Sequence, residues 1–264
     1  MKSIFRCLGF ALVLPCVFVL AAGASAQTAV PSAPAPAQAA GLPSAESVIE
    51  RHIEAIGGRK ALEARKSARI VGTLSVPANG MTGTLEMYAA RPNKVLVKQS
   101  LAGVGEILEG FDGTHAWSIN PMTGPMLATG EELAQRAQDA DFDAALNVAS
   151  RYTSLKTLEK TTFDGRECYK VALTRKDGTE DIEFYDAATG LKAGSINTRK
   201  SPMGSVTVTT TLKDYKKTGD ILQPMTLRQS LQGIEMVTTF TSVEFDTVDP
   251  SVFELPAPIK ALVK

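Results

Sequence analysis

Two histidines, His52 and His115, and a single tryptophan, Trp117, are the scarcest chemistry-bearing residues of this 264-residue chain. A serine nucleophile would need one of the two imidazoles as its base. Neither is accompanied by a G-x-S-x-G, H-E-x-x-H, Walker A or dinucleotide fingerprint. His115 and Trp117 share the stretch GFDGTHAWSINP, residues 110–121, which two turn signals bracket, Asp112-Gly113 and Asn120-Pro121. Strand alternation sets His115, Trp117 and Ile119 on one face and Thr114, Ala116 and Ser118 on the other. A histidine flanked by tryptophan and isoleucine reads as a hydrogen-bonded wall residue rather than a base. His52 falls within a helical stretch, where it packs or faces solvent.

Metal chemistry has as little support. The histidines are far apart and, once a leader is removed, Cys168 is the only thiol, so no zinc spacing exists. Asp139, Asp141 and Asp143 imitate the start of a calcium loop. The glycine wanted at the sixth position is Ala144, however, and the glutamate wanted at the twelfth is Ser150, so the three read as an acidic helix surface. Gly57-Gly58 before Arg59 and Lys60 lacks phosphate-loop spacing and reads as a helix break. No catalytic residue, metal or cofactor is expected, and the chain is read as a non-enzyme. The apolar inventory is richer: Met81, Met87, Met122, Met126, Met203, Met225 and Met236 are adaptable side chains suited to irregular apolar ligands.

The N-terminus supplies an address. Lys2 and Arg6 precede an apolar run over 7–22, and Ala24-Ser25-Ala26 fits the small-x-small cleavage rule. The run is too short for a membrane span. Pro15 stands before Cys16 where lipoprotein processing wants a small residue, so no lipid anchor is expected. Residues 1–26 are therefore read as a cleaved secretory signal peptide, and the mature chain as periplasmic, monomeric and without a transmembrane segment. Cleavage removes Lys2 and Arg6 from 28 basic residues and none of the 28 acidic ones. The near-neutral remainder argues against nucleic acid or an anionic membrane as main partner. One thiol permits no internal disulfide.

The elements that must position these residues follow from periodicity. Residues 27–43, with Pro31, Pro34, Pro36 and Pro43, read as an Ala/Pro-rich tether, and 44–264 as one domain. Ser47 and Glu50 have capping-box spacing, and Val48, Ile49, Ile53 and Ile56 share one helical face. From Ala68 the period becomes two. Strand-like runs lie near 68–76, 84–89, 94–100, 104–111, 114–119, 154–163, 166–175, 179–186, 191–199, 204–215, 221–231 and 234–246. Between them fall Asp164-Gly165, Asp177-Gly178, Thr189-Gly190, Thr218-Gly219 and Gln232-Gly233. A helical insert over 130–149 carries Leu133, Ala137, Ala140 and Ala144 at helical spacing. The fold class is mainly β with a helical lid: about ten to twelve antiparallel strands in a half-open curved barrel, with helices over one face. Such a sheet must curl, and it encloses side chains or a ligand cavity.

The islands Gly83/Leu85, Arg91-Pro92-Asn93, Asp112-Gly113, Trp117 and Asn120-Pro121 resemble, in order and approximate spacing, the periplasmic lipoprotein carrier LolA and its relatives. Asp186 with Thr189-Gly190-Leu191, and the terminal Asp249-Pro250 with Phe253 and Pro256, are similar to later islands of that superfamily. The resemblance implies a half-open antiparallel barrel with a helical lid over an apolar cavity that takes acyl chains. It implies that Arg91 locks the lid by hydrogen bonding to lid backbone. The apolar wall is expected to be Leu85, Met87, Ile107, Trp117, Ile119, Met122, Met126, Phe184, Met225, Leu227, Met236 and Phe240.

On these expectations the chain is a periplasmic carrier or binding protein for lipid or acylated lipoprotein, of the outer-membrane lipoprotein-sorting type. Its partners would be acyl chains and an envelope donor or acceptor protein. The alternative on the same fold is a non-catalytic protein-binding or envelope-sensor module.

Overall fold

The computed structural model describes residues 41–176, 178–201 and 204–263. The signal peptide, nearly all of the tether, Asp177 of one expected turn and Met203 lie outside the described residues. Helix α1 (Ala45–Ala55) begins at Ser44, whose hydroxyl accepts from the Ser47 N–H at 3.2 Å. That is one turn earlier than the Ser47/Glu50 spacing predicts: Ser44 is extended and free to cap, whereas Glu50 is committed to Arg59 (2.9 Å). Val48, Ile49, Ile53 and Ile56 are all buried, as their spacing requires. The helix stops at Gly57, with φ 130°, where a Cβ would sit 2.3 Å from the Asp220 carbonyl oxygen. A short helix α2 (Arg59–Glu63) follows.

The first strands form a continuous meander: β1 (Ser67–Val76), β2 (Met81–Ala90), β3 (Lys94–Leu101), β4 (Gly105–Phe111), β5 (Ala116–Asn120) and β6 (Gly124–Leu127). The insert supplies α3 (Gly130–Asp139) and α4 (Val148–Arg151). A second meander contains β7 (Tyr152–Phe163), β8 (Arg166–Arg175), β9 (Glu180–Asp186), β10 (Lys192–Ser201) and β11 (Gly204–Lys213). After a separate ribbon of β12 (Lys216–Thr218) and β13 (Ile221–Gln223), it ends in β14 (Thr226–Leu231) and β15 (Ile234–Phe245). Helix α5 (Ala257–Lys260) closes the chain.

Thirteen strands make one antiparallel sheet in the order β6-β5-β4-β3-β2-β1-β15-β14-β11-β10-β9-β8-β7. The first and last strands pair at its centre. The consecutive strands β6 and β7 are therefore the two opposite edges, and the segment joining them must cross the open side. That segment holds α3 and α4, so the topology makes it a lid. Three strand expectations are corrected. The expected runs contain neither β6 nor β12, and the run 221–231 is two strands, because Pro224 has no N–H to offer a ladder.

Alternation divides the apolar residues between two faces. The inner face carries Leu74, Leu85, Met87, Ile107, Leu227, Met236 and Phe240 in one buried cluster. Helix α1 covers its far half, over Val171, Leu173 and Tyr185, and α3 covers Phe111 and Ala116. On the outer face Trp117, Leu96, Phe253 and Ile259 pack together beneath the C-terminal segment. Trp117 lies flat on Gly110, where a Cβ would come within 2.5 Å of its ring.

Candidate functional site

A cavity of about 250 Å³ lies between the inner face, α1, the lid and the ribbon. Its upper walls are apolar: Ile49 and Ile56 from α1, Ala144, Ala145 and Val148 from the lid, Leu173 and Leu212 from the sheet, Ile221, Leu222 and Pro224 from the ribbon. Three anchors fix α1 above it. Arg51 forks onto the Ala187 and Ala188 carbonyls at 2.8 and 2.7 Å. His52 Nδ1–H donates to the Gly190 carbonyl at 3.1 Å. Leu222 N–H donates to the Ile56 carbonyl at 2.9 Å. The carbonyls that receive Arg51 and His52 belong to the β9–β10 turn, which Asp186 shapes by accepting from Ala188 and Thr189 N–H at 2.9 and 2.8 Å. The Asp186/Thr189/Gly190 motif therefore builds the helix dock.

The floor is polar and charge-balanced. Arg175 pairs with Asp181 at 2.6 Å, and Lys192 pairs with Glu183, all four nearly or fully buried. Asp181 also accepts from Asn197 Nδ2 at 2.8 Å and from the Tyr152 hydroxyl at 3.1 Å. Ser195 donates to Asn197 Oδ1 at 2.9 Å. The Tyr185 hydroxyl donates to Glu183. His52 stands edge-on to Tyr185, ring centroids 5.3 Å apart. Burial, and then the nearby Lys192 charge, pull His52 down to about 4, so it is neutral at ordinary pH. Burial pushes the Tyr152, Tyr185 and Tyr215 hydroxyls up, so they too stay neutral. Two cations and two anions thus cancel on the floor, and the one further charged residue that lines the cavity is Arg151 of α4.

This geometry can be set beside known proteins. No protein-family model matches the chain, and no curated protein sequence does. Solved structures do. A LolA superfamily protein from Nitrosomonas europaea superposes with a TM-score of 0.55 at 13% identity, over 81% of this chain and 99% of that one. A DUF1329 family protein from Desulfovibrio piger gives 0.54 at 12% identity, over 80% and 97%. A domain assigned to outer membrane lipoprotein sorting, from Vibrio parahaemolyticus, gives 0.53 at 14%, over 80% and 97%. The fold is LolA-like.

In this LolA-like frame Arg91 touches the lid, but not as expected. Its guanidinium pairs with the Asp143 carboxylate at 2.6 Å and stacks over Phe142 at 5.6 Å. Its backbone acceptor is the Leu62 carbonyl of α2, at 3.1 Å, rather than a lid carbonyl. The lid adds a backbone bond from Phe142 N–H to the Pro92 carbonyl at 3.0 Å. The aspartates of the insert are not an acidic helix surface. The helix ends at Asp139, which is buried and accepts from Gln135; Asp141 accepts from Asp143 N–H; and Asp143 holds Arg91. Among the described residues no group of three or more acidic, histidine or cysteine side chains could hold a metal.

The twelve expected wall residues separate, and none lines the cavity just described. Leu85, Met87, Ile107, Leu227, Met236 and Phe240 are on the inner face, packed into its core with Met225 against them. Trp117 and Ile119 are on the outer face, because Ala116 and Ser118 take the inner positions opposite Phe111 and Glu109. Phe184 also faces outward, stacked on Phe163 at 4.0 Å, because Asp181, Glu183 and Tyr185 take the inner positions of β9. Met122 and Met126 are solvent-exposed at the β5–β6 hairpin. His115 binds its own turn, Nδ1 to Asp112 Oδ2 at 3.2 Å. Cys168 is fully buried, and burial pushes its thiol up. No described helix is long and apolar enough to cross a membrane.

Proposed function

We propose that this chain binds lipid, or the acyl chain of a lipoprotein, in the cavity beneath α1 and the lid, and that it does so in the periplasm after losing residues 1–26. One observation carries the reading: an apolar-walled cavity of about 250 Å³ is closed on one side by the crossing segment that Arg91 fastens through Asp143. The volume sets the scale. At about 30 Å³ per water-sized group it admits roughly eight such groups. Eight buried methylenes contribute at most about 6 kcal/mol, enough to hold a single short chain and to surrender it to a tighter acceptor. A larger cargo requires the lid to lift, so release is a lid equilibrium rather than a chemical step. The solved relatives support this reading through their fold. One of them is assigned to lipoprotein sorting, and a carrier needs no residue poised for catalysis.

The test is native mass spectrometry and lipid extraction of protein purified from its own envelope, with displacement of a fluorescent fatty-acyl probe. Co-purifying lipid and saturable displacement are expected. Absence of both would sink the reading and leave a protein-binding sensor in its place.

A further inference from the structure

The floor of the cavity carries more polar groups than an acyl-chain sleeve needs, and several have no partner. Thr210, 2% exposed, lines the cavity and its Oγ1 makes no hydrogen bond. Arg175, also lining it, spends one terminal nitrogen on Asp181 while its buried Nε–H is unpaired. Directly opposite Thr210 in the ladder is Gln229, 4% exposed, with Oε1 unpaired. Thr238, fully buried on the neighbouring strand, has an unpaired Oγ1. Three adjacent strands, β11, β14 and β15, therefore bring unanswered hydroxyl and amide groups to one patch beside the cavity, while Arg175 stands on β8, three strands from Thr210. Each such group costs free energy when buried alone, which marks a place where something else is meant to bind.

We propose that this patch receives the polar end of the ligand, and that the ligand is a single-chain amphiphile with an uncharged head that both donates and accepts, a hydroxyl or an amide. The inference rests on the lipid-binding reading above and narrows it. Three features choose the head. The two threonine hydroxyls can donate or accept and Gln229 Oε1 can only accept, so a head that cannot donate would leave Gln229 unanswered. The floor's charges already cancel in the pairs Arg175–Asp181 and Lys192–Glu183, and the cavity's one further charged lining residue, Arg151, stands on the lid beside β7, four strands from Thr210, so an ionised head at the patch would enter without a counter-charge there. The apolar walls above the patch, Ile49, Leu173, Leu212 and Leu222, take the chain. Roughly eight groups fill the cavity, which matches an eight-carbon chain.

The experiment compares octanamide, 1-octanol and sodium octanoate at pH 7.5 as competitors for a fluorescent fatty-acyl probe on the intact mature chain. The amide and the alcohol are expected to displace the probe at least tenfold more effectively than the carboxylate. Thr210→Val is close in shape and removes only the hydroxyl, so it should weaken octanamide about fivefold to tenfold and leave the melting temperature equal or higher. Thr210→Ser, which keeps a hydroxyl, should recover most of the loss. Octanoate binding as well as octanamide, or octanamide binding unchanged in Thr210→Val, would overturn the head-group assignment while leaving lipid binding intact. A chain that binds neither probe nor competitors would overturn both.

Discussion

The Arg91–Asp143 pair, which in the proposed reading fastens the lid, is the most direct handle on that reading. Arg91 and Asp143 lie 2.6 Å apart with side chains 29% and 22% exposed, so they are neither a surface pair nor a buried one. Burial raises the Asp143 carboxyl above its ordinary range despite the pull of Arg91, so desolvation consumes part of the Coulomb gain. A coupling of about 1–2 kcal/mol follows, above the usual surface value and below that of a buried pair. Arg91→Ala also removes the bond to the Leu62 carbonyl and the stacking on Phe142, so it should cost about 1 kcal/mol more than Asp143→Asn. The assay is a double-mutant cycle read by hydrogen exchange at the Phe142, Ala144 and Leu146 amides, whose acceptors are the Pro92, Asp141 and Asp143 carbonyls. A local loss of about 1.4 kcal/mol speeds exchange there about tenfold, while the amides of β1 and β15 keep their protection. Additive single mutants, or unchanged exchange over 142–146, would refute the assignment of Arg91 as the lid fastener.

The remaining expectations concern the dock, the floor and the outer face. His52 is held at about 4 against an ordinary 6.5, so the unfolded chain binds the extra proton between those values. Its contribution of at most about 3 kcal/mol is complete above pH 6.5 and is lost as pH falls toward 4; His52→Gln should flatten that limb in urea titrations, and an unchanged slope would disprove it. Lys192, Glu183 and Tyr185 are the other titratable groups facing this ring. Arg175→Ala strands the fully buried Asp181 carboxylate and should cost about 3–5 kcal/mol in chemical denaturation; a loss under about 1 kcal/mol would show the pair to be solvated. Phe253→Ala empties the cover over Trp117 and should cost about 3–5 kcal/mol, with the emission of the lone tryptophan moving to the red. Gly110→Ala should shift the same emission by driving a methyl into the indole, and an unmoved spectrum would contradict the packing.

Much of the fold was legible in the sequence because it rests on period and turn chemistry. Asp164-Gly165 and Gln232-Gly233 both adopt paired positive φ angles, the hairpin geometry their residue types favour. The apolar face of α1 and the helical insert followed from spacing alone. What escaped was set by distant contacts. No local rule says that Ser44 outcompetes Ser47 as a cap, since that depends on Glu50 being taken by Arg59. Nor does spacing within the insert reveal that Asp143 turns away from water toward Arg91, 52 positions earlier in the chain.

The expected wall residues lie away from this cavity for a more instructive reason. Strand β9 reads Glu-Asp-Ile-Glu-Phe-Tyr-Asp, and the rule that apolar residues point inward assigns Phe184 to the cavity. The sheet is covered on both faces, so apolarity cannot tell in from out. Phe163 folds over the outer face, leaving space there for Phe184 and for a fully buried Cys168, and the carboxylates take the inside. The signal that distinguishes the faces is complementarity in register: Asp181 lies opposite Asn197, Glu183 opposite Ser195, and Ser195 opposite Thr210. A polar row spanning successive strands is improbable on a face shared with Phe184 and natural on a closed, charge-balanced floor. For a curved sheet covered on both sides, as here, polar residues matched across neighbouring strands therefore locate the cavity better than the large apolar ones do, because those fill whichever core lies nearest.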